Sequence, residues 1–395
     1  MKEKLPINPS VLRWARETAG VPLEDVARKL GRKSITVETI AAWETGEGSP
    51  SYAQLEELAY QIYKRPLALF FFPAPPLEET PRQAFRTLPE HEIELLSSRL
   101  RYIIRQAKTM QINLAELYEG NNLSQRQIVS DLKFAPEMAI SEIVAAVRKY
   151  LNINLKEQCK WHSAEEAFKG WRKAFEECGV FVFKEAFKDD SYSGFCLYDE
   201  RFPLIYVNNS KSDTRQVFTL FHELPHLLFR TGGVDKPLED YIQFLQGDNR
   251  RIEVICNRFA GAFLVPDDDF DQNIKTVSIN DDTIVELAKR YCVSREVILR
   301  KFYDRKLVSS HFYEQKVEEW NKKVEEWNKG KVKEGTTGNY YRTKGAYLGE
   351  SYIELVFSHL YQNRISVKQL ADYLGVKEKN VPGMEELLFT KGGGA

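Results

Sequence analysis

The string TRQVFTLFHELPHLLF carries His222 and His226 four residues apart, with Glu223 directly after the first. On a helix, side chains at i and i+4 leave one face one turn apart, so both imidazoles can reach a single point. A tetrahedral Zn²⁺ asks for that arrangement, with nitrogen ligands at about 2.0–2.1 Å. Glu223 is beside such a metal but off the ligand line. There it is placed to take a proton from a zinc-bound water, whose pKa the metal lowers to about 7, and to pass it to a leaving amine. Pairs of histidines at this spacing arise by chance on many helices. This chain, however, has only six histidines, and Val217, Phe218, Leu220, Phe221, Leu227 and Leu228 surround the pair with residues that bury a helix. The fold must then provide an apolar core around a polar centre, and a second element to complete that centre.

A catalytic zinc takes three protein ligands and leaves its fourth position to water. The string RRIEVICNRFAGAFLVP offers a candidate third ligand, Glu253, near the start of a helix whose apolar face is Ile252, Ile255, Phe259 and Phe263. Glu253 lies 27 residues after His226, enough for a loop and a returning antiparallel helix. Spacing alone leaves it evenly divided between a ligand and a surface glutamate.

The chain is too long for one core: it has 395 residues, and single cores rarely grow past about 250–300. Its 56 basic and 57 acidic side chains nearly cancel. No global field draws it to nucleic acid or a membrane, so any nucleic-acid binding must come from a local patch. Five scattered cysteines with no C-x-x-C pair argue against a disulfide framework and a cysteine-rich metal knuckle, and fit a reducing cytosol. The start, MKEKLPINPSVLRWARE, has no apolar leader segment. No run approaches the roughly 18–20 apolar residues of a membrane span, so a cytoplasmic location with no membrane partner is expected. The longest apolar run, 67–72, reads as buried core, and the terminal GGGA as a flexible tail.

Residues 10–65 alternate short helical patterns with turn signals at Gly20, Gly31 and TGEGSP. Leu23, Val26, Ala27 and Leu30 give one helix its apolar face. The next starts at about Thr36, buries Ile40 and Trp43, and leaves Thr36, Val37, Glu38, Thr39 and Ala42 outward. Arg28, Lys29, Arg32 and Lys33 form a basic cluster suited to phosphate contacts. The proline-rich PAPPLEETPR leaves this unit, and 88–150 reads as a helical connector with Leu95, Leu96, Leu100, Ile103 and Ile104 in helical register. A helix ending near Cys178 and Gly179 precedes three β-rich runs, VFVF, SGFCLYD and PLIYVN, which read as a small sheet. Further on, 281–306 reads as two helices broken at Cys292 and Val293. VEEWNKKVEEWNKG then places Val317, Trp320, Val324 and Trp327 on one seven-residue stripe. Two heptads are too short to stand alone, so the stripe folds onto the chain or meets a partner. SVKQLADYLGVKEKNVPG again reads as helix, turn, helix, with no chemistry assigned.

FTLFHELPHLL followed by IEVICNRFAGAFLVP resembles the zinc-peptidase domain of the ImmA/IrrE family. That family's pattern is H-E-x-x-H and then a glutamate preceding an A-N-x-F-A-x-x-L-L-x-P type helix. Asn257, Phe259, Ala260, Leu264 and Pro266 match it, while Cys256 stands where a small residue is usual. The resemblance implies Zn²⁺ as cofactor, Glu253 as third ligand beside His222 and His226, and Glu223 as the catalytic residue. Pro225 departs from the family's glycine or alanine. A proline there removes a helical hydrogen bond and presses on the Phe221 carbonyl, at a cost of about 3 kcal/mol or a kink. The expectation is a bent helix, with His226 re-aimed or hydrolysis lost while zinc is kept.

LRWARETAG, LEDVARKLG, TVETIAAWETG and SPSYAQLEELA together resemble the XRE-type helix-turn-helix, which turns the outward face of residues 36–42 toward a DNA major groove. That face has no Arg, Lys, Asn or Gln for bidentate base contacts, although Val37 and Ala42 suit thymine methyls. KRPLALFFFP also follows this domain in the family, and is expected to pack against the connector.

The expected fold is α+β and mainly helical, with five parts. An all-α helix-turn-helix domain spans 8–72, and a proline-rich exit and helical connector spans 73–160. A zincin-like peptidase domain with a small β-sheet and a trailing helical pair spans 161–310. An amphipathic linker with the heptad repeat spans 311–344, and a small C-terminal helical module spans 345–390. The resemblance implies a cytoplasmic zinc-dependent endopeptidase fused to a DNA-binding domain, a transcriptional regulator or antitoxin-type protein. Its expected partners are an operator in its own promoter and a protein substrate or cognate toxin or repressor, with a homodimer as one assembly. The rival reading is a non-catalytic antitoxin or repressor whose zinc domain is a docking scaffold, which Pro225 and the donor-poor helix favour.

Overall fold

The computed structural model describes residues 5–78, 96–135, 137–230, 233–235, 247–275, 277–331 and 339–391, with backbone alone for 233–235, 247–249, 324–331 and 390–391. Leu95, residues 79–82 of the proline-rich exit and the 392–395 tail lie outside the described residues, as do the side chains of Val324 and Trp327. The chain divides into two compact units, Met1–Lys108 with Phe187–Asp189, and Thr109–Ala186 with Asp190–Ala395.

In the first unit α1 (Pro9–Ala19), α2 (Leu23–Leu30), α3 (Val37–Thr45) and α4 (Tyr52–Glu57) follow one another. Their ends are set by local sequence. Asn8 accepts from the Ser10 amide ahead of Pro9, and Thr36 and Ser51 form reciprocal capping boxes with Thr39 and Gln54. Gly20 and Gly31 close α1 and α2 in the left-handed region, at φ 64° and 61°, where a glycine carries no Cβ penalty. Val11, Leu12, Ala15, Val26, Ile40, Trp43, Leu55 and Tyr63 form the common core.

The run 67–72 departs from the expectation of a wholly buried core. Leu67–Phe71 is a 3₁₀ turn, and with three residues per turn it directs Phe70 and Leu67 inward and Phe71 outward. Phe70 is fully buried, whereas Phe71 and Phe72 are 42% and 49% exposed, so the run is only partly core. It packs into the helix-turn-helix core, and Asn8 Nδ2 donates to the carbonyls of Phe72 and Pro73. α5 (Ser98–Leu117) begins in this unit, with Leu100, Ile103 and Ile104 buried as their spacing required.

In the second unit α6 (Ile128–Asp131), α7 (Ile140–Leu151), α8 (Leu155–Gln158) and α9 (Ala164–Glu177) lead into a sheet. Its strands are β1 (Phe181–Glu185), β2 (Gly194–Leu197), β3 (Leu204–Asn208) and β4 (Gly233–Asp235), in the order β1-β3-β2-β4. β1 runs parallel to β3, and β2 runs antiparallel to β3 and β4. Three strands are the apolar runs read from sequence. β4, three residues long, has no alternation to announce it. α10 (Asp213–Leu228) connects β3 to β4, and α11 (Gly247–Leu264) follows β4. α12 (Asp267–Ile274), α13 (Asp281–Tyr291), α14 (Arg295–Asp304) and α15 (Ser310–Lys331) come next, with Cys292 at φ 54° breaking α13 from α14.

The connector expected at 73–160 is corrected for its second half. Ile128, Val129, Ile143, Val147 and Leu151 lie in one apolar cluster with Trp171, Phe221 and Phe263. An amphipathic helix must bury its stripe somewhere, and α7 buries its own in the core of the second unit. Trp320 joins the same cluster, with the Arg295 guanidinium 4.8 Å from its ring centre. That part of the heptad stripe therefore folds onto its own chain.

The C-terminal helices are α16 (Tyr340–Leu348), α17 (Glu350–Tyr361), α18 (Val367–Leu374) and α19 (Val381–Lys391). α16 lies against β1, an outer strand of the sheet, and Tyr352 of α17 meets Phe183 edge to face at 5.4 Å. Arg172 on α9 ties these parts together. It donates to the carbonyls of Val182 in β1 and of Ala346 and Tyr347 in α16, and pairs with Glu176 at 3.0 Å. At Gly349, φ 87°, a Cβ would collide with that guanidinium.

Candidate metal centre

α10 can sit close on the sheet because β2 begins with a glycine. A Cβ at Gly194 would come within 2.5 Å of Thr219 Cγ2 and 2.7 Å of the Tyr206 carbonyl oxygen. Thr219 is one turn before Glu223, so this close approach sets the depth of the helix at the site. On its other side α10 is held by aromatic rings. Phe221 stacks on Phe263 of α11 at 4.3 Å between centroids, and Trp171 and Phe175 of α9 meet Phe221 edge to face at 4.9 and 5.4 Å. Such pairs contribute roughly 0.5–1.5 kcal/mol each beyond their buried area.

Over this layer His222, His226 and Glu253 bring three ligand atoms within 4.8 Å of one another, all three residues being buried. His222 Nε2 lies 3.4 Å from Glu253 Oε2, and His226 Nε2 lies 3.4 Å from Glu253 Oε1. Ligand atoms around a tetrahedral zinc at 2.0–2.1 Å are about 3.3–3.4 Å apart, so the donor set fits that ion in kind and in spacing. Burial alone would raise the Glu253 carboxyl. The neighbouring charge of His226 and the hydrogen bonds of both imidazoles outweigh it and hold Glu253 well below the usual carboxylate range.

Behind His222, its Nδ1 is 3.1 Å from Asn257 Oδ1. An oxygen acceptor there selects the tautomer with hydrogen on Nδ1, which leaves the Nε2 lone pair for the cluster. Asn257 is one turn beyond Glu253 on α11, so one helix face supplies a ligand and the group that orients another. The sequence pattern matched Asn257 without giving it a role; its i+4 spacing from Glu253 was the available signal. Asn257→Ala should stay folded and lose about 10–100-fold in zinc affinity, measured by chelator competition. An unchanged affinity would remove Asn257 from this positioning role.

Glu223 is fully buried one residue after His222, about 100° round the helix, and is not part of the three-residue ligand cluster. Pro225 stands inside the helix without displacing the second imidazole. The helix runs from Asp213 to Leu228, and both imidazoles approach Glu253 at the same distance, so His226 is not re-aimed. Only three residues follow the proline within the helix, which leaves no long segment to be swung by a kink.

In the N-terminal unit Ile40 and Trp43 are buried, as expected. Thr36 caps α3 and the first helical residue is Val37. Thr36 and Glu38 are exposed, and Val37, Thr39 and Ala42 are partly so. The hydroxyls of Thr36 and Thr39 are engaged in the capping box, which leaves this face still poorer in groups for reading bases. All four basic residues of the cluster are exposed. Arg28 pairs with Asp25 at 2.7 Å and Arg32 with Glu57 at 3.0 Å, whereas Lys29 and Lys33 make no ion pair among the described residues.

Compared with known families, residues 175–303 match the Peptidase_M78 family, described as the IrrE N-terminal-like domain. Residues 12–59 match a helix-turn-helix family. No curated protein matches the chain. The first match encloses α10, α11 and the whole ligand cluster, and the second encloses α2, α3 and α4. A helix-turn-helix DNA-binding domain and a metallopeptidase-like domain are thus joined in one chain, in an α+β, mainly helical fold. No described helix is long and apolar enough to cross a membrane.

Proposed function

We propose that this chain is a cytoplasmic zinc-dependent endopeptidase that acts on a partner protein and regulates transcription through its N-terminal domain. The observation that carries the reading is the buried His222–His226–Glu253 cluster, spaced for tetrahedral zinc, with the buried Glu223 carboxylate beside it. Zinc held there supplies the Lewis acidity that polarises a peptide carbonyl and makes water a nucleophile near neutral pH. The chain's own residues do the rest. Asn257 fixes the ring of His222, and Glu253 offsets part of the metal's charge. Glu223 accepts a proton from the attacking water and returns it to the departing amide nitrogen. The packed rings of Phe221, Phe263 and Trp171 keep bulk water from the underside.

The substrate proposed is a repressor or toxin encoded beside this chain. Incubating such neighbours with the zinc-loaded protein and with Glu223→Gln tests the reading. Cleavage by the first alone supports it, and cleavage by neither, with both binding the neighbour, favours a non-catalytic docking scaffold.

The N-terminal domain is proposed to bind an operator in its own promoter as a homodimer, with affinity carried mainly by phosphates. Lys29 and Lys33, which have no carboxylate partner among the described residues to compete with DNA, should contribute more than Arg28 and Arg32. Replacing both lysines by alanine is expected to weaken binding to all duplexes alike. It should flatten the log–log salt dependence by about 1.8, two contacts at about 0.9 each. Changes at Val37 or Ala42 should shift preference among sequences more than overall affinity. A salt slope identical to that of the unaltered protein would exclude the basic cluster from the interface.

A further inference from the structure

The flank of α11 turned away from the ligand cluster forms one wall of a groove of about 460 Å³. Arg250, Arg251, Val254, Ile255 and Arg258 of α11 line it, together with Met138 just before α7 and Ile140 at its start. Arg250, Val254 and Arg258 repeat at i, i+4 and i+8, a stripe beginning about 60° round the helix from Glu253. The groove is therefore built on the helix that carries a ligand and the His222-orienting Asn257. Among the described residues no carboxylate lines it. Glu137 pairs with Arg251 at 3.0 Å, but the two side chains are 65% and 50% exposed, so this pair is readily exchanged for another.

Three arginines line the groove, two of them, Arg250 and Arg258, without an ion pair among the described residues, and each guanidinium offers a planar fork matched to a carboxylate. Between them stand aliphatic side chains, which a bare sugar-phosphate backbone would leave unmatched and which Leu, Ile or Val would cover. We infer that this groove docks an acidic segment of the protein substrate in which Asp or Glu alternates with aliphatic residues, holding that protein beside the metal centre. The word substrate rests on the peptidase reading; the binding itself requires no zinc.

The test uses the full-length protein and a fluorescein-labelled peptide of Glu-Glu-Leu repeats, with a Gln-Gln-Leu counterpart, followed by fluorescence anisotropy. The acidic peptide should bind and the neutral one should not. Arg250→Ala with Arg258→Ala should weaken binding by about ten-fold or more, and Arg250→Lys with Arg258→Lys should weaken it less, because charge is kept while the fork is lost. Lys29→Ala with Lys33→Ala should leave binding unchanged. Zinc content and circular dichroism show whether the arginine variants are folded, and these exposed positions should tolerate both changes. Equal affinity in the alanine double variant overturns the proposal, as does equal binding of the neutral peptide. So does displacement of the peptide by a DNA duplex whose own binding depends on Arg250 and Arg258, which would make the groove a nucleic-acid site. Binding retained in His222→Ala preserves the groove even if the same protein series shows no cleavage, so the two readings fail separately.

Discussion

His222→Ala and Glu253→Ala proteins should each lose most of their bound zinc. Glu223→Gln should keep its zinc and lose cleavage by a factor of about 10²–10⁴, the usual contribution of a general base. The three residues stand equally deep, so burial does not separate their roles; membership of the cluster does. His222 and Glu253 each place a ligand atom in the cluster, and removing one leaves two, too few to hold the ion against water. Glu223 contributes no atom to that cluster, and glutamine keeps its size while removing its basicity. Elemental analysis of the three purified proteins, with near-ultraviolet circular dichroism to confirm packing, separates the roles. Full zinc in the His222→Ala protein would falsify the centre. Full zinc in Glu253→Ala alone would move the third ligand elsewhere.

Phe221→Ala should destabilise the second unit by about 3–5 kcal/mol, the range for emptying a fully buried aromatic position. The ring stacks on Phe263 and is met edge-on by Trp171 and Phe175, so its loss opens a cavity touching three helices. Because Phe221 adjoins His222, zinc affinity should fall with stability. Phe71→Ala is the counterpart: at 42% exposed it should cost within about 0.5 kcal/mol. Urea unfolding of the two variants measures both changes. Equal losses would contradict the packing described for the second unit.

The contrast between those phenylalanines shows where sequence was informative. That His222 and His226 share one face was legible because four residues on a helix put two side chains one turn apart. Glu253 was not legible from spacing, since a return across a loop can place any of several helix positions inward; the resemblance supplied it. Helical periodicity over 88–150 does not say which surface covers each stripe, and the stripe of α7 lies in the core of the second unit, within the stretch read as a connector. Phe71 and Phe72 look as apolar as Phe70, and only the three-fold pitch of the 3₁₀ turn separates them. β4 is too short for any periodicity, and its pairing with β2 depends on residues 37 or more positions away.

The tie made by Arg172 bears on solubility. β1 is an outer strand of the sheet, its sequence FVFKE is largely apolar, and α16 is secured against it by carbonyls that share one guanidinium with the strand. An uncovered strand of this composition is a template for pairing with another chain. A protein trimmed before residue 339 would keep every metal ligand and still present that template, so its shortcoming would be self-association into insoluble material, not lost chemistry. The solubility of such a trimmed protein, compared with the full chain, measures how far the cover over β1 limits self-association.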